Sequence, residues 1–570
     1  MIRRQHALLA LLLLGATALP SACTLPFAYV DDGGAGEGGD SDEGSGGVGT
    51  GATGTGAASP SGGSAGNDGS GAADSGGGGP SDGGAASGGS GGASTGGASS
   101  GGSGGTVPDG VYVDLAAERQ VIQGFGLNAT IMPGSETLPW AQLFSLDGAD
   151  ALGLSILRIG MNESGGHRGV PTDWETARDT YDAKIIGTCW TAPAAWKDNA
   201  STTGGGHLLT SRYADWATRI ATYANANNLH AMSIGNQTDF ASCSPSQGVA
   251  CSPPLTDEYE SMVYTGKELA EFLKVAGPIF DAIAPGTLLI APEASSWTRV
   301  WSNLSPTNAA NGGYDSSDPL GCGCFSNDIS DAAALATCES TCAAGGGYDY
   351  GHWMAEDAAA WSAVDILGVH QYESQVGYPW PADVNGGVKD KEVWQTEMAG
   401  TIYWPEQEPS TDIANGVAVA GWIHSALTVG EASAWLYWWY EAYYGNHNEG
   451  LALLYDTTIP IAKRYFTLGN YSKFVRPGYV AVEVVGNENT DLLLSAYKGP
   501  TGEVVVVAIN KSGAEVSLPI TIFGGAAPSL LTPTVTSESS DLVEGTPVTV
   551  ADAAFTATLP GLSVTTFVGE

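Results

Sequence analysis

The sequence predicts an α/β fold: a (β/α)8 TIM barrel with an attached all-β side domain, formed by the C-terminal region plus an N-terminal strand. Between 119 and 462, short β-branched and apolar segments alternate with longer amphipathic ones, which is the pattern of parallel strands joined by helices. From 463 to 570 this helical pattern stops, and strand-like segments follow one another across Gly, Pro and Asn turns. The two patterns together indicate two folded units.

Eight segments are predicted as the barrel strands, and the amphipathic segments between them include 213–225 and 268–276. The predicted strands are 120–126, 156–160, 184–190, 231–236, 288–293, 365–372, 393–398 and 434–439. Most of these segments end in polar or aromatic residues. Because a barrel of this type carries its chemistry at the C-terminal ends of its strands, we expect the functional site there.

The side domain is predicted from four strands in the C-terminal region and one near the N-terminus. The C-terminal strands are predicted at 492–498, 503–510, 517–523 and 564–568. The segment V-Y-V-D-L (111–115), within 107–118, precedes the first barrel strand. We expect it to pair into the side domain, which we predict to be a β-sandwich.

The first 106 residues are predicted to be an export and tether region. Residues 1–22 combine Arg3 and Arg4 with a short apolar run, which is typical of a signal peptide and shorter than the about 20 apolar residues of a membrane span. Cys23 follows in the context L-P-S-A-C, which resembles a bacterial lipoprotein processing site; ordinary secretion is the alternative. Residues 23–106 are rich in Gly and Ser, without apolar periodicity, and are expected to form a disordered tether. We therefore expect a secreted protein or a cell-surface lipoprotein, in contact with membrane only through a lipidated Cys23.

The formal net charge of −40 argues against two classes of partner. Nucleic acid and anionic membrane surfaces would be repelled at long range. A neutral polymer fits this charge better, and no cofactor is expected.

The cysteines other than Cys23 fit an oxidising compartment. Cys243 and Cys251 bracket a short Ser/Pro loop and are predicted to pair with each other. Four more lie in one Gly-rich insertion: Cys322, Cys324, Cys338 and Cys342. Two disulfides are predicted for these four, with a zinc site as the alternative, and no metal is expected elsewhere. Cys189 remains unpaired and is predicted to be a buried structural thiol.

Several motifs, taken in order along the chain, resemble glycoside hydrolase family 30. These motifs are Q-V-I-Q-G-F-G (120–126), W-T-A-P-A-A-W (190–196), S-I-G-N-Q (233–237), W-Q-T-E-M (394–398) and R-Y-F-T-L-G-N-Y-S-K-F-V-R-P-G-Y (464–479). They span nearly all of 110–570. The family includes microbial xylanases, galactanases and glucosylceramidases, so the resemblance implies a retaining glycosidase on a barrel with an attached β-domain.

The resemblance also implies the roles of three residues. Glu397 corresponds to the nucleophile, Asn236 to the residue that hydrogen-bonds the sugar 2-hydroxyl, and Gln237 stands at the acid/base position. The family pattern there is Asn-Glu-Pro, whereas this sequence has Asn-Gln-Thr. A retaining glycosidase needs a carboxylic acid about 5–5.5 Å from the nucleophile to protonate the leaving oxygen, and an amide cannot donate that proton.

Three ways around this substitution remain open. A nearby carboxyl could replace the missing acid: Asp239, Glu293 or Glu373. Asp239 lies two residues beyond Gln237 and projects to the same side of an extended segment, although it could equally fix the loop. A substrate with a good leaving group needs no acid, and a protein that only binds carbohydrate needs no catalysis at all.

Aromatic residues at the strand ends are predicted to form a platform for sugar rings. They are Trp190, Trp196, Tyr372, Trp438 and Trp439. Arg158 and His370 end two of the strands and are expected to contact substrate or to orient its neighbours. The family resemblance implies that members cutting glucuronic-acid-decorated xylan use an arginine in the loop after the eighth strand. The corresponding stretch 440–450 contains neither Arg nor Lys, so a neutral glycan is expected rather than an acidic one.

We therefore interpret the sequence as that of an exported, monomeric retaining glycoside hydrolase. Its expected substrate is a β-linked extracellular polysaccharide or oligosaccharide, xylan- or galactan-like, with Glu397 as nucleophile. The alternative is a catalytically impaired or inactive carbohydrate-binding protein on the same scaffold.

Overall fold

The computed structural model describes most of the chain from residue 108 onward. The described residues are 108–130, 138–241, 259–300, 336, 340, 350–372, 379–380, 384–399, 412–443, 450–454 and 461–569. Within them, no helix is both long and apolar enough to cross a lipid bilayer.

Eight parallel strands close into a barrel, which confirms the predicted fold class. The strands are β2 (Gly124–Asn128), β3 (Ile156–Met161), β4 (Lys184–Cys189), β5 (Ala231–Ser233), β6 (Leu288–Ala294), β7 (Ile366–His370), β8 (Glu392–Glu397) and β9 (Ala434–Tyr437). They follow one another around the barrel in chain order, and β9 pairs with β2 to close it. Each predicted barrel segment overlaps one of them.

Helices accompany the strands along the chain. They are α1 (Trp140–Phe144), α2 (Glu175–Tyr181), α3 (Tyr213–Ala226), α4 (Gly266–Ile283), α5 (Trp297–Val300), α6 (Tyr350–Glu356), α7 (Ala358–Ala363), α8 (Ile413–Thr428) and α9 (Lys463–Ser472). The start of α4 is fixed by a capping box, in which the Thr265 side chain accepts from the Glu268 backbone and the Glu268 side chain accepts from the Thr265 backbone.

The inside of the barrel is apolar at the bottom and polar at the top. Its apolar layer consists of Ile156, Ile186, Ala231, Ile290, Ile366, Trp394, Ala434 and Leu436. Because side chains of a strand alternate in direction, the inward position two residues further along carries Arg158 on β3 and Thr188 on β4. The pleat of the barrel strands thus places polar groups directly above the apolar layer.

Two register irregularities change this alternation. On β6 the pairing with β7 passes from Pro292 to Ala294, so Glu293 is an extra residue, with a positive φ of 58°. On β8 the pairing moves from Gln395 to Glu397, so Thr396 is extra. Each irregularity has the effect of a β-bulge. Glu293 and Glu397, each three residues after a residue of the apolar layer, therefore point into the barrel.

A glycine makes room for the first irregularity. A Cβ on Gly368 would lie 2.5 Å from Ile290 Cγ2 and 3.3 Å from Glu293 Cα. A side chain at 368 would therefore push against the strand segment that presents Glu293.

The side domain is a ten-stranded sheet. Its strands are β1 (Tyr112–Val121), β12 (Val480–Val485), β13 (Leu492–Lys498), β14 (Val504–Asn510), β15 (Val516–Phe523), β16 (Leu530–Ser537), β17 (Ser540–Glu544), β18 (Val548–Thr549), β19 (Ala554–Leu559) and β20 (Ser563–Gly569). As predicted, the N-terminal strand belongs to it: β1 pairs with β12 and β15. β1 continues to Val121, so the barrel begins after that residue rather than at 119. Two further strands, β10 (Trp439–Tyr443) and β11 (Gly450–Leu454), form a small separate sheet after the last barrel strand.

The junction motif at 464–479 folds largely as helix α9, which contacts both the barrel and the side domain. Asn470 donates to the backbone oxygen of Thr534 at 3.1 Å, and Ser472 donates to that of Leu152 at 2.7 Å. Arg464 is fully buried and donates to the Gly450 carbonyl at 2.7 Å. These hydrogen bonds indicate a structural role for the motif.

Cys189 is a buried free thiol, as predicted, and burial raises its pKa well above the usual value. The six cysteines for which we predict disulfides lie outside the described residues. For the intact, unreduced protein we expect no rapid reaction of Cys189 with a thiol reagent, because the reactive thiolate is disfavoured and inaccessible. After complete unfolding without reductant, one thiol, that of Cys189, should react among the seven cysteines that follow Cys23. Several thiols on unfolding would contradict the disulfide prediction.

Candidate active site

Arg158 is the centre of a buried polar cluster at the C-terminal ends of the barrel strands. It is fully buried, with Nη1 donating to Glu397 Oε2 at 2.6 Å and Nη2 donating to Asn236 Oδ1 at 2.5 Å. Its Nε lies 3.0 Å from Glu293 Oε1. One guanidinium therefore holds the ends of β6 and β8 and the segment after β5 together, using the fixed fork of its donors.

Glu397, the predicted nucleophile, ends β8 and is only 4% exposed. Besides Arg158, it accepts a hydrogen bond from the Tyr372 hydroxyl to Oε1 at 2.9 Å. His370 Nδ1 lies 3.4 Å from the same oxygen. These contacts fix the direction of the carboxylate, as a group that must attack along one line requires.

Glu293 is fully buried and is held as an anion. Thr188 donates to its Oε2 at 2.9 Å, and His370 Nε2 lies 3.8 Å from its Oε1. Burial by itself would raise the pKa of Glu293, but the Arg158 charge and the neighbouring His370 outweigh it and lower the pKa to about 2. At neutral pH this carboxylate balances the charge of Arg158 and has no proton to donate.

The low pKa of Glu293 predicts a loss of stability in acid. The ordinary pKa of a glutamate is 4.5, and that of Glu293 in the folded protein is about 2. The ionised Glu293 therefore stabilises the fold above pH 4.5, and this stabilisation is lost as the pH falls from 4.5 toward about 2. Denaturant unfolding measured across this acid range should show the loss. Glu293→Gln should flatten that part of the profile, and an unchanged slope in the variant would contradict the assignment.

Asn236 and Gln237 follow β5 directly. Asn236 is 4% exposed and bound to Arg158, which places the predicted 2-hydroxyl ligand in the same cluster as Glu397. Gln237 is half-buried and has a positive φ of 49°. Its carbonyl accepts from the Phe240 backbone at 2.8 Å, which closes a tight turn.

Asp239 is bound by the segment after β6. Its Oδ1 accepts from the Ser295 backbone at 2.7 Å, and its Oδ2 accepts from the Ser295 hydroxyl at 2.5 Å. Arg299 Nε lies 3.6 Å from the same Oδ2. These contacts favour the loop-fixing role over that of a substitute acid. Glu373, the third candidate, lies outside the described residues.

Three tryptophans pack against one another as an aromatic surface beside the cluster; Trp438 is partly exposed, whereas Trp190 and Trp439 are buried. Trp438 is half-buried and stacks on Trp439 with ring centroids 4.9 Å apart, and its centroid is 6.5 Å from that of Trp190. The Arg158 guanidinium carbon lies 5.5 Å from the Trp190 centroid, which connects this surface to the polar cluster.

Trp196 has different neighbours. Its ring meets that of Trp216 on α3 edge-on, at 6.5 Å, and the guanidinium carbon of Arg219 lies 4.3 Å from its centroid. The guanidinium carbon of Arg212, just before α3, lies 5.6 Å from the same centroid. Trp196 is partly exposed and packs beside α3, apart from the other three tryptophans, and its place in the sugar platform stays a prediction.

Several residues of the site did not emerge from the sequence, among them Asn128 and Arg168. Asn128 ends β2 opposite Arg158 in the register, is fully buried, and has no hydrogen-bond partner among the described residues on either side-chain polar atom. The predicted strand stopped at Gly126, two residues too early to reveal it. Arg168 stacks on Trp190 at 4.2 Å and pairs with Glu260. It lies in the loop beyond β3, where no sequence signal marked it.

A protein-family model matches most of the side domain. Residues 479–567 match the glycosyl hydrolase family 30 beta sandwich domain. The wider chain is similar to glucuronoxylanase XynC of Bacillus subtilis (strain 168), with 29% identity over 476 residues, covering 80% of this chain and 91% of that protein. The family model thus covers the side domain, and the similarity to XynC extends over 80% of the chain.

Solved structures agree with this fold. The family 30 subfamily 8 xylanase Xyn30A of Clostridium acetobutylicum superposes with a TM-score of 0.58 at 25% identity, covering 81% of this chain and 100% of that one. The catalytic domain of xylanase C from Talaromyces cellulolyticus has a TM-score of 0.58 at 18% identity, covering 81% and 99%. The second likeness concerns the fold alone.

Proposed function

We propose that this protein is a retaining glycoside hydrolase acting on a β-xylan-like glycan, with Glu397 as nucleophile and Asn236 as ligand of the sugar 2-hydroxyl. The observation that carries the proposal is the fixed carboxylate of Glu397, bound by Arg158 and Tyr372 at the C-terminal end of a barrel strand. The similarity to a protein named as a glucuronoxylanase and to a structure named as a family 30 xylanase supports the same reaction class and the β-xylan-like substrate.

The proposal is tested by the stereochemistry of an activated substrate in the presence of methanol. We expect an activated aryl β-xylobioside to yield the β-methyl glycoside, because two successive displacements at the anomeric carbon retain its configuration. Methyl glycosides do not mutarotate, so NMR of the product reads the stereochemistry directly. The control is Glu397→Gln, which should form none. An α-methyl product, or equal yield from the control, would refute the nucleophile assignment.

A second candidate function is carbohydrate binding without turnover, and the observation that favours it is Gln237. The aromatic surface of Trp190, Trp438 and Trp439 and the Arg158 cluster would bind sugar in either case. Calorimetric binding of xylo-oligosaccharides without any product from activated substrates would favour this alternative.

The charge of the glycan is a separate proposal. The lack of Arg and Lys in 440–450 favours a neutral chain, whereas Arg168 beside Trp190 provides a cation close to the cluster. The name of the Bacillus subtilis relative includes a glucuronic-acid-bearing xylan. Binding of linear xylo-oligosaccharides compared with uronic-acid-substituted ones separates the two, and Arg168→Met should weaken only the second.

We also propose that the protein is exported, with residues 1–22 removed and Cys23 either lipidated or at the start of a secreted chain. The apolar run and Cys23 support this proposal. Incorporation of labelled palmitate that disappears in Cys23→Ala would establish the lipoprotein. Processed protein without label would establish ordinary secretion, and unprocessed protein would contradict export.

A further inference from the structure

We propose that this site cleaves glycosides whose leaving group departs as a stabilised anion, namely phenol-linked (aryl) β-glycosides of xylan-like sugars. The inference rests on the proposed function, since it requires Glu397 to act as nucleophile. It goes beyond that function by naming the bond: the linkage of the glycan to a phenolic hydroxyl, rather than the linkage between two sugars.

The first argument is that Asp239 and Glu293, the two described carboxyls that could replace the acid, are both engaged as hydrogen-bond acceptors. The acid/base position holds the amide of Gln237. Both carboxyl oxygens of Asp239 accept hydrogen bonds from Ser295, and the pair fixes the segment after β6. Glu293 is fully buried, with Arg158 on one oxygen and Thr188 on the other.

The state of Glu293 strengthens this argument. Its pKa of about 2 keeps it ionised at any pH at which the protein would work. General acid catalysis supplies about 10²–10⁴ in rate, and it does so most when the leaving group is a strongly basic alkoxide. The linkage between two sugars has such a leaving group, so it is the bond that suffers most from the loss of the acid.

The second argument is that the nucleophile retains its complete surroundings. Glu397 is still bound by Arg158 at 2.6 Å and by Tyr372 at 2.9 Å, and Asn236 is still held by Arg158 at 2.5 Å. A buried cluster of this kind costs desolvation energy, and its contacts fix Glu397 in the single direction that an attack on the anomeric carbon requires. Among the described residues, the site therefore keeps the groups that position the attack on the anomeric carbon, whereas the acid/base position holds an amide.

The third argument concerns the aromatic surface. Trp438 is half-buried and stacks on Trp439 in nearly parallel planes, 19° apart. Flat tryptophan faces bind an aryl ring by offset stacking as readily as they bind the C–H face of a sugar. Because Trp439 is buried, Trp438 is the member of this pair on which a phenolic leaving group could stack.

The reaction balances without an enzymatic acid. A carboxylate oxygen of Glu397 bonds to the anomeric carbon while the bond to the phenolic oxygen breaks, and that electron pair leaves on the phenolate, which takes a proton from water. Water then attacks the anomeric carbon, its proton passes to solvent, and the electron pair of the ester bond returns to Glu397. The net reaction is hydrolysis.

The test is the dependence of kcat/KM on leaving-group acidity, measured on the full chain with aryl β-xylobiosides made from phenols of graded pKa. We expect kcat/KM to rise about tenfold for each unit by which the pKa of the phenol falls, since the departing oxygen carries nearly a full charge. In Gln237→Glu the dependence should become shallow, because the new acid neutralises that charge. A shallow dependence in the unaltered protein, with xylan cleaved at a comparable rate, would overturn the inference and leave the proposed function standing.

Matched variants test the two described carboxyls, Asp239 and Glu293, as proton donors. In Asp239→Asn and Glu293→Gln the slope should equal that of the unaltered protein, and a slope is independent of how much of each variant is folded. A steeper slope in either variant than in the unaltered protein would show that its carboxyl donates the proton, and would overturn the inference. Absence of hydrolysis of every aryl glycoside would overturn the proposed function itself, together with this inference.

Discussion

Gln237→Glu is expected to raise the rate of polysaccharide cleavage by about 10²–10⁴, equivalent to about 3–5 kcal/mol of activation free energy. The change restores a carboxylic acid after β5 without touching Glu397, Asn236 or Arg158. The gain should be largest for linkages between sugars and smallest for aryl glycosides with acidic phenols. Reducing-end release from xylan, with the two proteins at equal folded concentration, measures it.

The matched control is Gln237→Asn, which keeps the amide and shortens the side chain and should give no gain. In the glutamate variant, kcat/KM should also fall as the pH rises, because the new carboxylic acid ionises and can no longer donate a proton. If Gln237→Glu stays as slow as the unaltered protein on xylan, the missing acid is not what limits cleavage, and the surroundings of position 237 must differ from those of an active site.

Arg158→Met is expected to lower the free energy of unfolding by about 3–5 kcal/mol, because it leaves the buried carboxylates of Glu293 and Glu397 without their cation. It should also abolish turnover of activated substrates, since Asn236 and Glu397 lose the donor that orients both. Urea denaturation and rates on an aryl glycoside measure the two effects separately.

Two variants control the Arg158 experiment. Adding Glu293→Gln to Arg158→Met should recover part of the stability, because it removes one uncompensated charge, but should recover no activity. Arg212→Met, which breaks an exposed ion pair with Asp215, should cost about 1 kcal/mol or less. An Arg158→Met protein as stable as the Arg212 control would contradict the central position given to Arg158.

The barrel could be predicted because each of its strands and helices is marked by the residues of its own segment. Short apolar segments separated by amphipathic ones define eight strands, and each predicted segment overlaps a strand of the closed barrel. The motif around Glu397 was placed correctly at a strand end for the same reason. The side domain was predicted less completely: β12, β16, β17, β18 and β19 were not recognised, although β19 alternates buried and exposed residues clearly.

The inward direction of the two glutamates could not be predicted from the sequence. Alternation from Ile290 and Trp394, both in the apolar layer, points Pro292 and Thr396 inward and leaves the next residue outside. The extra residue on each strand turns the glutamate that follows the expected inward position into the barrel instead. A register irregularity arises from the pairing with the neighbouring strand, so the residues of one strand do not reveal it.

Contacts across the barrel mouth could not be predicted either, because they join residues that are far apart in the sequence. Arg168 stacks on Trp190 from another loop, and Asp239 is bound by a residue far along the chain, Ser295. Such pairings depend on where loops lie after folding. Sequence spacing therefore left two roles open for Asp239, and the hydrogen bonds from Ser295 favour one of them.

The central claim is that Glu397 attacks the anomeric carbon, and intact-protein mass spectrometry after incubation with an activated 2-deoxy-2-fluoro xylobioside tests it most directly. We predict that the protein gains the mass of one fluoroglycosyl group, that the peptide carrying Glu397 bears the label, and that Glu397→Gln stays unlabelled. A label on another residue, or none on a protein that hydrolyses the corresponding unfluorinated substrate, would contradict the account.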